Sequence, residues 1–422
     1  MIPDPETGLA APTDVPAVRR DEPLAQNRDF KVLLTGQGIS AIGDAVSFTA
    51  MPLLVLALTG SGLAMGIVGV LQSIPDLLFG MVAGVLADRH DRRRMMLLAD
   101  LGRAGLTALI PLSYLFGVST IAVVFLVAAP MSVLRSLFLA AYTASLPNLV
   151  GRPQLGRANS IFEAIYSFGY IIGPGIAGLL VATIGAAETI AIDAASYALS
   201  AVALFLIRRP LTLVRDHPPL DLLREIREGA AYVVHHRPLR DAVAFWGAVS
   251  VISAGLVPAL AYFVIEEQAL DATALGLILG AYGAGTFLGA IFTTRLRLRR
   301  AGRLMLGGNL VRGLALVAVV AIGTLPAMMT AGLVAGFVDS VVLITYITLR
   351  AAASPDDLIG RIGGTARTIS LGLQPIGFVA AGLLIDTAGG GVTLASLGIA
   401  LAATSGLFAL SRPLRAADAQ TR

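Results

Sequence analysis

Gly84 to Arg94 reads GVLADRHDRRR: an apolar run closes with a glycine four residues before Asp88 and Arg89, and Arg92, Arg93 and Arg94 follow at once. On one side, residues 62–87 carry a single charged side chain, Asp76; on the other, residues 95–116 carry only Asp100 and Arg103. Each flanking run exceeds the roughly 20 apolar residues that a helix needs to cross a bilayer. An arginine-rich break of this length between two such runs is a turn at a membrane surface, and the alternation continues in both directions along the chain.

Walking outward with the same ruler gives twelve apolar segments: 32–58, 62–87, 95–116, 120–147, 158–183 and 187–207, then 241–265, 272–294, 304–323, 326–350, 364–386 and 391–411. The expected fold class is therefore an all-α polytopic membrane protein with twelve transmembrane helices. Composition agrees: of 422 residues 56% are apolar and 14% charged, with a mean hydropathy of +0.80, whereas soluble domains run near 45–50% apolar and about 25% charged. The 46 glycines suit helices that approach closely in lipid.

Arginine placement sets the expected orientation. Arg19, Arg20, Arg28 and Lys31 precede the first segment, Arg89 to Arg94 follow the second, and Arg152 and Arg157 follow the fourth. Arg208, Arg209, Arg215, Arg224, Arg227, Arg237 and Arg240 fill the long middle loop; Arg295 to Arg303, Arg350, Arg361 and Arg412 to Arg422 continue the pattern. The opposite connections hold Glu188, Glu266, Glu267, Asp271 and Asp386 and no basic residue. The positive-inside rule then puts both termini in the cytoplasm. Arginine replaces lysine almost everywhere, Lys31 being the sole lysine among 31 basic residues, and with the alanine-rich filler this points to a GC-rich bacterial genome, hence to the bacterial inner membrane.

The composition also excludes functions. No cysteine occurs, which removes disulfides, thiolate metal sites and cysteine nucleophiles. His90, His217, His235 and His236 fall in polar loops without ligand spacing, so neither a metal nor another cofactor is expected. Neither a phosphate-binding GxxxxGK[ST] loop nor HExxH or GxSxG is present, so ATP hydrolysis is not expected and neither is an enzyme. The pI of 9.6 comes from arginines beside apolar segments, where they orient helices and touch lipids; no nucleic-acid partner follows.

Five parts are expected: a disordered cytoplasmic tail over 1–28 without the apolar core of a signal peptide, a six-helix bundle over 29–207, a cytoplasmic linker over 208–240, a second bundle over 241–411 and a tail over 412–422. Within the linker, Leu222, Leu223, Ile226, Ala230 and Val233 recur at helical spacing among charges, which predicts an amphipathic helix on the inner membrane surface, with a partner-binding helix as the alternative. A shift of 204 residues superposes Gly156 on Gly360, Arg157 on Arg361, Gly173 on Gly377, Ala177 on Ala381, Gly178 on Gly382, and Leu179 and Leu180 on Leu383 and Leu384. Such self-similarity at matching points of two segments points to a duplicated six-helix unit, as in secondary transporters.

Gly84, Asp88, Arg89, Arg92 and Arg93 match the signature loop of the major facilitator superfamily, G-x-x-x-D-R-x-G-R-R/K, with Asp91 in place of the second glycine. The sequence resembles that superfamily, which implies two pseudo-symmetric bundles and alternating access; Asp88 would pair with arginines or with a helix N-terminus as a cytoplasmic latch. The second half keeps Gly289, Arg295, Arg297, Arg299 and Arg300 but has Thr293 and Thr294 where the acid would stand. In the fifth segment, Gly169, Gly173, Pro174 and Gly178 within GYIIGPGIAG look like the exporters' antiporter motif; directly, they describe a kinked, closely packed helix. The stretches LPNLVGRPQLGRANS, IDAASYALSA and SPDDLIGR, with GQGISAIGDAVSFTAMPLLVL from Gly36, are similar to the branch of enterobactin and macrolide exporters.

Four ionisable residues lie about 18 Å along their segments from the arginine-rich end at 1.5 Å per residue: Asp44, Asp76, Arg135 and Asp339. Buried charge in lipid needs a partner, a watery cavity or a function. The resemblance implies a central cavity lined by Asp44, Arg135 and Asp339 with Asp76 beside them, Asp44 serving as principal protonation site and Arg135 as its charge partner; a static ion pair locking two helices is the alternative. Asp100 and Arg103 have the spacing to pair within one helix, as do Asn309 and Arg312, while Glu163 and Asp193 stand nearer helix ends where water reaches. Among aromatics, Tyr142 and Trp246 are candidates to wall the cavity. The expected function is proton-coupled export of hydrophobic or amphipathic small molecules, drugs, antibiotics or siderophores, by a monomer; a lipid or lysophospholipid flippase and a transport-dead sensor or scaffold fit the same fold.

Overall fold

Runs of Leu, Ile, Val and Ala punctuated by glycine-bearing turns form α1 (Arg28–Thr59), α2 (Gly62–Arg89), α3 (Arg92–Leu115), α4 (Thr120–Val150), α5 (Leu155–Ile184) and α6 (Ala186–Leu206). The chain continues with α7 (Leu222–His235), α8 (Arg237–Ala254), α9 (Leu256–Tyr262), a π turn over Phe263–Glu267, α10 (Ala272–Thr294), α11 (Ala301–Ile322), α12 (Leu325–Ala352), α13 (Ile359–Phe408) and α14 (Arg412–Ala416). The computed structural model describes residues 23–212, 222–296, 300–355 and 358–418, and among these no strand occurs. The basic residues Arg19, Arg20, Arg215, Arg297, Arg299 and Arg422 lie outside the described residues.

Eleven helices among the described residues are long and apolar enough to cross a membrane, one fewer than the expected twelve. The difference lies in α13, whose 50 residues run through 364–386 and into 391–411 as far as Phe408. A straight helix of that length would run about 75 Å, more than twice a hydrocarbon core of about 30 Å. Gly389 interrupts it at φ 88° and ψ 170°, a conformation open to glycine. The two pieces pack on different partners, Gly382 against Gly62 of α2 and Gly398 against Gly313 of α11. The Glu267 carboxylate holds the new start by accepting from the Gly390 and Gly391 amides at 2.5 and 3.0 Å.

The turn before α1 corrects the expected tail boundary. Residues 1–22 lie outside the described part, but Leu24 is buried and Asn27 caps α1, accepting from the Phe30 amide at 3.0 Å and donating to the Leu149 carbonyl at 3.0 Å. An apolar side chain and an amide with two partners fix this stretch to the bundle. Helix α7 occupies the expected amphipathic stretch, although Leu220 lies outside the described residues. It docks on α13: Arg361 Nη1 stands 2.6 Å from Glu228 Oε2, the Tyr232 hydroxyl donates to the Ala353 carbonyl at 3.2 Å, and Val233 is buried.

Packing of the cores decides the shape. At the end where Glu188, Asp271 and Asp386 lie, one continuous apolar core draws on both bundles, with Leu54, Met65 and Ile190 beside Phe263, Leu275 and Ile385. At the arginine-rich end two separate cores form instead: Phe30, Phe138, Tyr142 and Phe162 in the first bundle, and Phe245, Met305, Tyr346 and Leu401 in the second. The halves therefore close on each other at the acidic end and part at the basic end.

Candidate functional site

Where the halves part, a cleft of about 820 Å³ opens between α2, α4 and α13, lined by Asp76, Gly80, Gly84, Asp88, Ser136 and Thr143 on one wall and Gly360, Gly364, Arg367 and Thr368 on the other. Three of the signature-loop residues hold the loop together rather than the cleft. Arg92 donates from Nε to the Ala87 carbonyl at 3.0 Å and from Nη1 to the Ala144 carbonyl at 2.7 Å, tying α2 to α4. Arg93 reaches the carbonyls of Leu204 and Phe205 at the end of α6. Asp91, standing where the family has glycine, caps α3 by accepting from the Arg94 amide at 2.7 Å, which explains the replacement: the turn is set by an N-cap. Asp88 stays half exposed, 3.5 Å from Arg92 Nη2, Arg89 is exposed, and Gly84 has open space around it instead of a neighbouring helix.

Of the four mid-depth charges, Asp76 faces this cleft. It accepts from the Ser136 hydroxyl at 2.5 Å, and Arg367 of the opposite wall stands 3.9 Å from its other oxygen. The expected pairing of Asp44 with Arg135 does not form. Asp44 accepts instead from the Tyr197 hydroxyl of α6. That ring lies under the Arg103 guanidinium at 4.3 Å, with the Phe138 ring at 4.6 Å. A mid-helix acid and a phenol on adjacent packed helices meet directly, whereas Arg135 extends into exposed space and makes no hydrogen bond or ion pair among the described residues. Its electrostatic neighbours are Tyr170, Asp44 and Asp76.

Asp100 and Arg103 pair within α3 as their spacing predicts, both nearly fully buried. Arg312, by contrast, does not pair with Asn309. It binds Asp339 at 2.6 Å, and Asp339 accepts from the Tyr282 hydroxyl at 2.7 Å, so Asp339 belongs to a triad inside the second bundle and not to a cavity shared with Asp44. Asn309 donates to the Leu401 carbonyl and to the Ser405 hydroxyl at 2.8 and 3.0 Å. Asp193, expected within reach of water, is 2% exposed; its Oδ1 is 3.1 Å from the Ser196 hydroxyl. Glu163 is exposed. The first bundle thus holds a buried polar network of Asp44, Tyr197, Arg103 and Asp100, extended by Gln37, which donates to Ser200 at 2.9 Å and accepts from Tyr166 at 3.4 Å.

Both aromatic candidates leave the cavity. Tyr142 stacks on Phe138 with centroids 6.3 Å apart and meets Phe162 edge-on at 5.2 Å inside the first core; Trp246 stacks on Tyr346 at 5.1 Å. Large rings fill the bundle cores where volume is needed. Phe48 and Tyr170, in edge contact at 6.0 Å, are the exposed pair of α1 and α5. Tyr197, Tyr282, Ser136 and Arg367 carry no spacing signal in the sequence; only the packing of α6 on α1, α10 on α12, α4 on α2 and α13 on α2 brings them to the acids.

The glycine-proline motif serves two interfaces. Gly169 and Gly173 let α5 lie against Ala41 and Ala45 of α1, while Gly178 faces Ala272 and Gly276 of α10 across the closed end. Pro174 is buried within an unbroken α5.

Residues 22–422 match the family described as transmembrane secretion effector. Over 372 residues the chain is 30% identical to the multidrug efflux pump Tap of Mycolicibacterium fortuitum, covering 85% of this chain and 89% of that one. Over 361 residues it is 28% identical to the enterobactin exporter EntS of Escherichia coli, covering 81% and 82%. Among solved structures, a bacterial homologue of the iron transporter ferroportin in an inward-facing state shares the fold at a TM-score of 0.71 and 17% identity, over 91% of this chain and 99% of that one. The nucleoside transporter NupG shares it at 0.70 and 12%, over 90% and 97%.

Proposed function

We propose that this chain, which belongs to the transmembrane secretion effector family of the major facilitator superfamily, is a proton-coupled exporter of amphipathic small molecules, drugs or siderophores, working by alternating access between bundles 29–207 and 241–411 joined by the linker 208–240. The observation that carries the reading is the asymmetry of the cores: one shared core seals the acidic end, two separate cores leave a cleft with Asp76 and Arg367 at the basic end. Likeness to Tap and EntS supports export as the direction and drugs or siderophores as cargo. With arginine-rich loops inside, both termini are cytoplasmic, the membrane is the bacterial inner membrane, and the cleft faces the cytoplasm. A monomer contains the whole cleft.

Asp44 is the proposed proton site. It lies half-buried at mid-depth, and its ion-free partner, the Tyr197 hydroxyl, can accept or donate as the carboxyl changes state. Arg135 is its proposed charge partner at a distance, a cation at the same depth on α4 that no hydrogen bond or ion pair among the described residues commits elsewhere.

The test is an accumulation and susceptibility screen in an efflux-deficient bacterium, across macrolides, dyes and secreted siderophores, comparing the parent with Asp44→Asn at equal expression. Lower accumulation in the parent, lost with a protonophore and in the variant, supports the reading. Export that survives both the protonophore and Asp44→Asn sinks the proton coupling.

A further inference from the structure

The closed end is held by a carboxylate placed across the boundary between bundles. Asp386, at the end of the first piece of α13, accepts from the Gly62 amide at 2.5 Å, the Leu63 amide at 3.2 Å and the Ser61 hydroxyl at 2.8 Å. Ser61 is itself the N-cap of α2, accepting from the Ala64 amide at 3.2 Å. The first donors of α2 are therefore satisfied jointly by a local serine and by an aspartate more than 300 residues away. A helix N-terminus concentrates unpaired amides and partial positive charge, and here its anion is supplied by the other half of the protein. Close backbone approach makes the contact possible: a Cβ at Gly382 would come within 2.7 Å of the Gly62 carbonyl.

The pseudo-equivalent helix shows that this sharing is not a requirement of the fold. In the second bundle α10 begins with its own aspartate, Asp271, accepting from the Ala274 amide at 2.9 Å, so its cap remains intact when the bundles separate. At the other end of the same antiparallel helix pair, Asp88 stands near the end of α2 and lines the open cleft with Gly360 and Gly364 from the start of α13, without a hydrogen bond to either. Each helix of the α2–α13 pair thus carries an aspartate at its far end, facing the other's N-terminus. One is engaged across the bundle boundary at the closed end; the other, at the open end, meets Arg92 of its own bundle.

We propose that Asp386 is the latch of the acidic-end gate: its capping of α2 holds that end shut, and opening that end requires the carboxylate to leave the Gly62 and Leu63 amides. The inference concerns the gate and holds whatever the cargo or coupling ion. Rupture exchanges the bonds of two amides and a hydroxyl to this carboxylate for bonds to water. The closed state is therefore favoured by an interaction that the open state lacks, which is the condition for a population shift.

The absence of native cysteine allows a direct test. Val118→Cys and Ile322→Cys, both exposed at the closed end in different bundles, are spin-labelled in nanodiscs and the distance distribution is measured. In the parent background the short-distance population dominates. Asp386→Ala raises the long-distance population about two- to fivefold, the range expected for an exposed charge at a helix N-terminus, and Asp386→Asn raises it less. Ser61→Ala, which removes one donor and leaves the carboxylate, moves it in the same direction. Asp88→Asn, at the disengaged end, does not raise it. Distributions for Asp386→Ala and Asp386→Asn that coincide with the parent's overturn the latch, as does an equal lengthening in Asp88→Asn.

Discussion

At the scale of single residues, the buried charges of the first bundle are organised by hydrogen bonds between neighbouring helices. Asp100 and Arg103 pair within α3, both nearly fully buried, with the Tyr197 and Phe138 rings on the guanidinium, and removing one partner of such a pair leaves an uncompensated charge that costs about 3–5 kcal/mol. Arg103→Met is expected to lower unfolding stability by about that amount. The double variant Asp100→Leu with Arg103→Met should recover most of the loss, as urea unfolding of the purified protein would register; additive losses would show that the pair is not a unit. Tyr197→Phe deletes the hydroxyl that Asp44 accepts from while keeping the ring beneath Arg103. Under the proton-coupling proposal, export of a screened compound persists in this variant but its pH profile shifts, whereas Asp44→Asn abolishes it. An unchanged profile in Tyr197→Phe means that the hydroxyl does not tune Asp44.

At the scale of elements, the seams between bundles are made of backbone against backbone. At Gly178 a side chain would run into Ala272 and Gly276 of α10, and at Gly276 a Cβ would fall 2.5 Å from the Pro174 carbonyl. Gly175, one face round the same helix, has open space. Gly178→Leu should therefore prevent closure of the acidic end. An overpacking cost of about 1–3 kcal/mol corresponds to about a fivefold or greater loss of export, with Gly175→Leu within about twofold of the parent in the same accumulation assay. Equal effects would deny the seam its role. The break in α13 makes a second prediction. Gly389→Ala puts a side chain at φ 88° against Glu267, and melting of the purified protein should register a loss of about 1–3 kcal/mol.

At the scale of the whole molecule, one state of an alternating cycle is present, closed where the cores merge and open where they separate. A cysteine placed at Thr143 in the cleft wall should react with a small thiol reagent from the basic end, and a cysteine at Val68, in the shared core, should be shielded. Adding an exported compound with a proton gradient should reduce the first reactivity as the opposite state is populated. Labelling at Thr143 that is unaffected by any cargo and gradient would favour a molecule that does not cycle.

What the sequence by itself determined is what depends on local chemistry. Span length follows from the thickness of hydrocarbon and the motif at Gly84 to Arg93 marks the superfamily, since each is a property of contiguous residues. The Asp100–Arg103 pair was legible for the same reason, three residues apart on one helix. Partners on different helices were not legible. Tyr197 reaches Asp44, Arg312 reaches Asp339, and Asp386 reaches Gly62 through helix packing, and depth along a helix says nothing about which way a side chain faces. Depth counting therefore brought Asp44 and Arg135 to one level without making them a pair, and it sent Tyr142 and Trp246 to a cavity when they pack in and against the bundle cores. Which end is shut was likewise a tertiary outcome, because it depends on whether two apolar cores merge or stand apart.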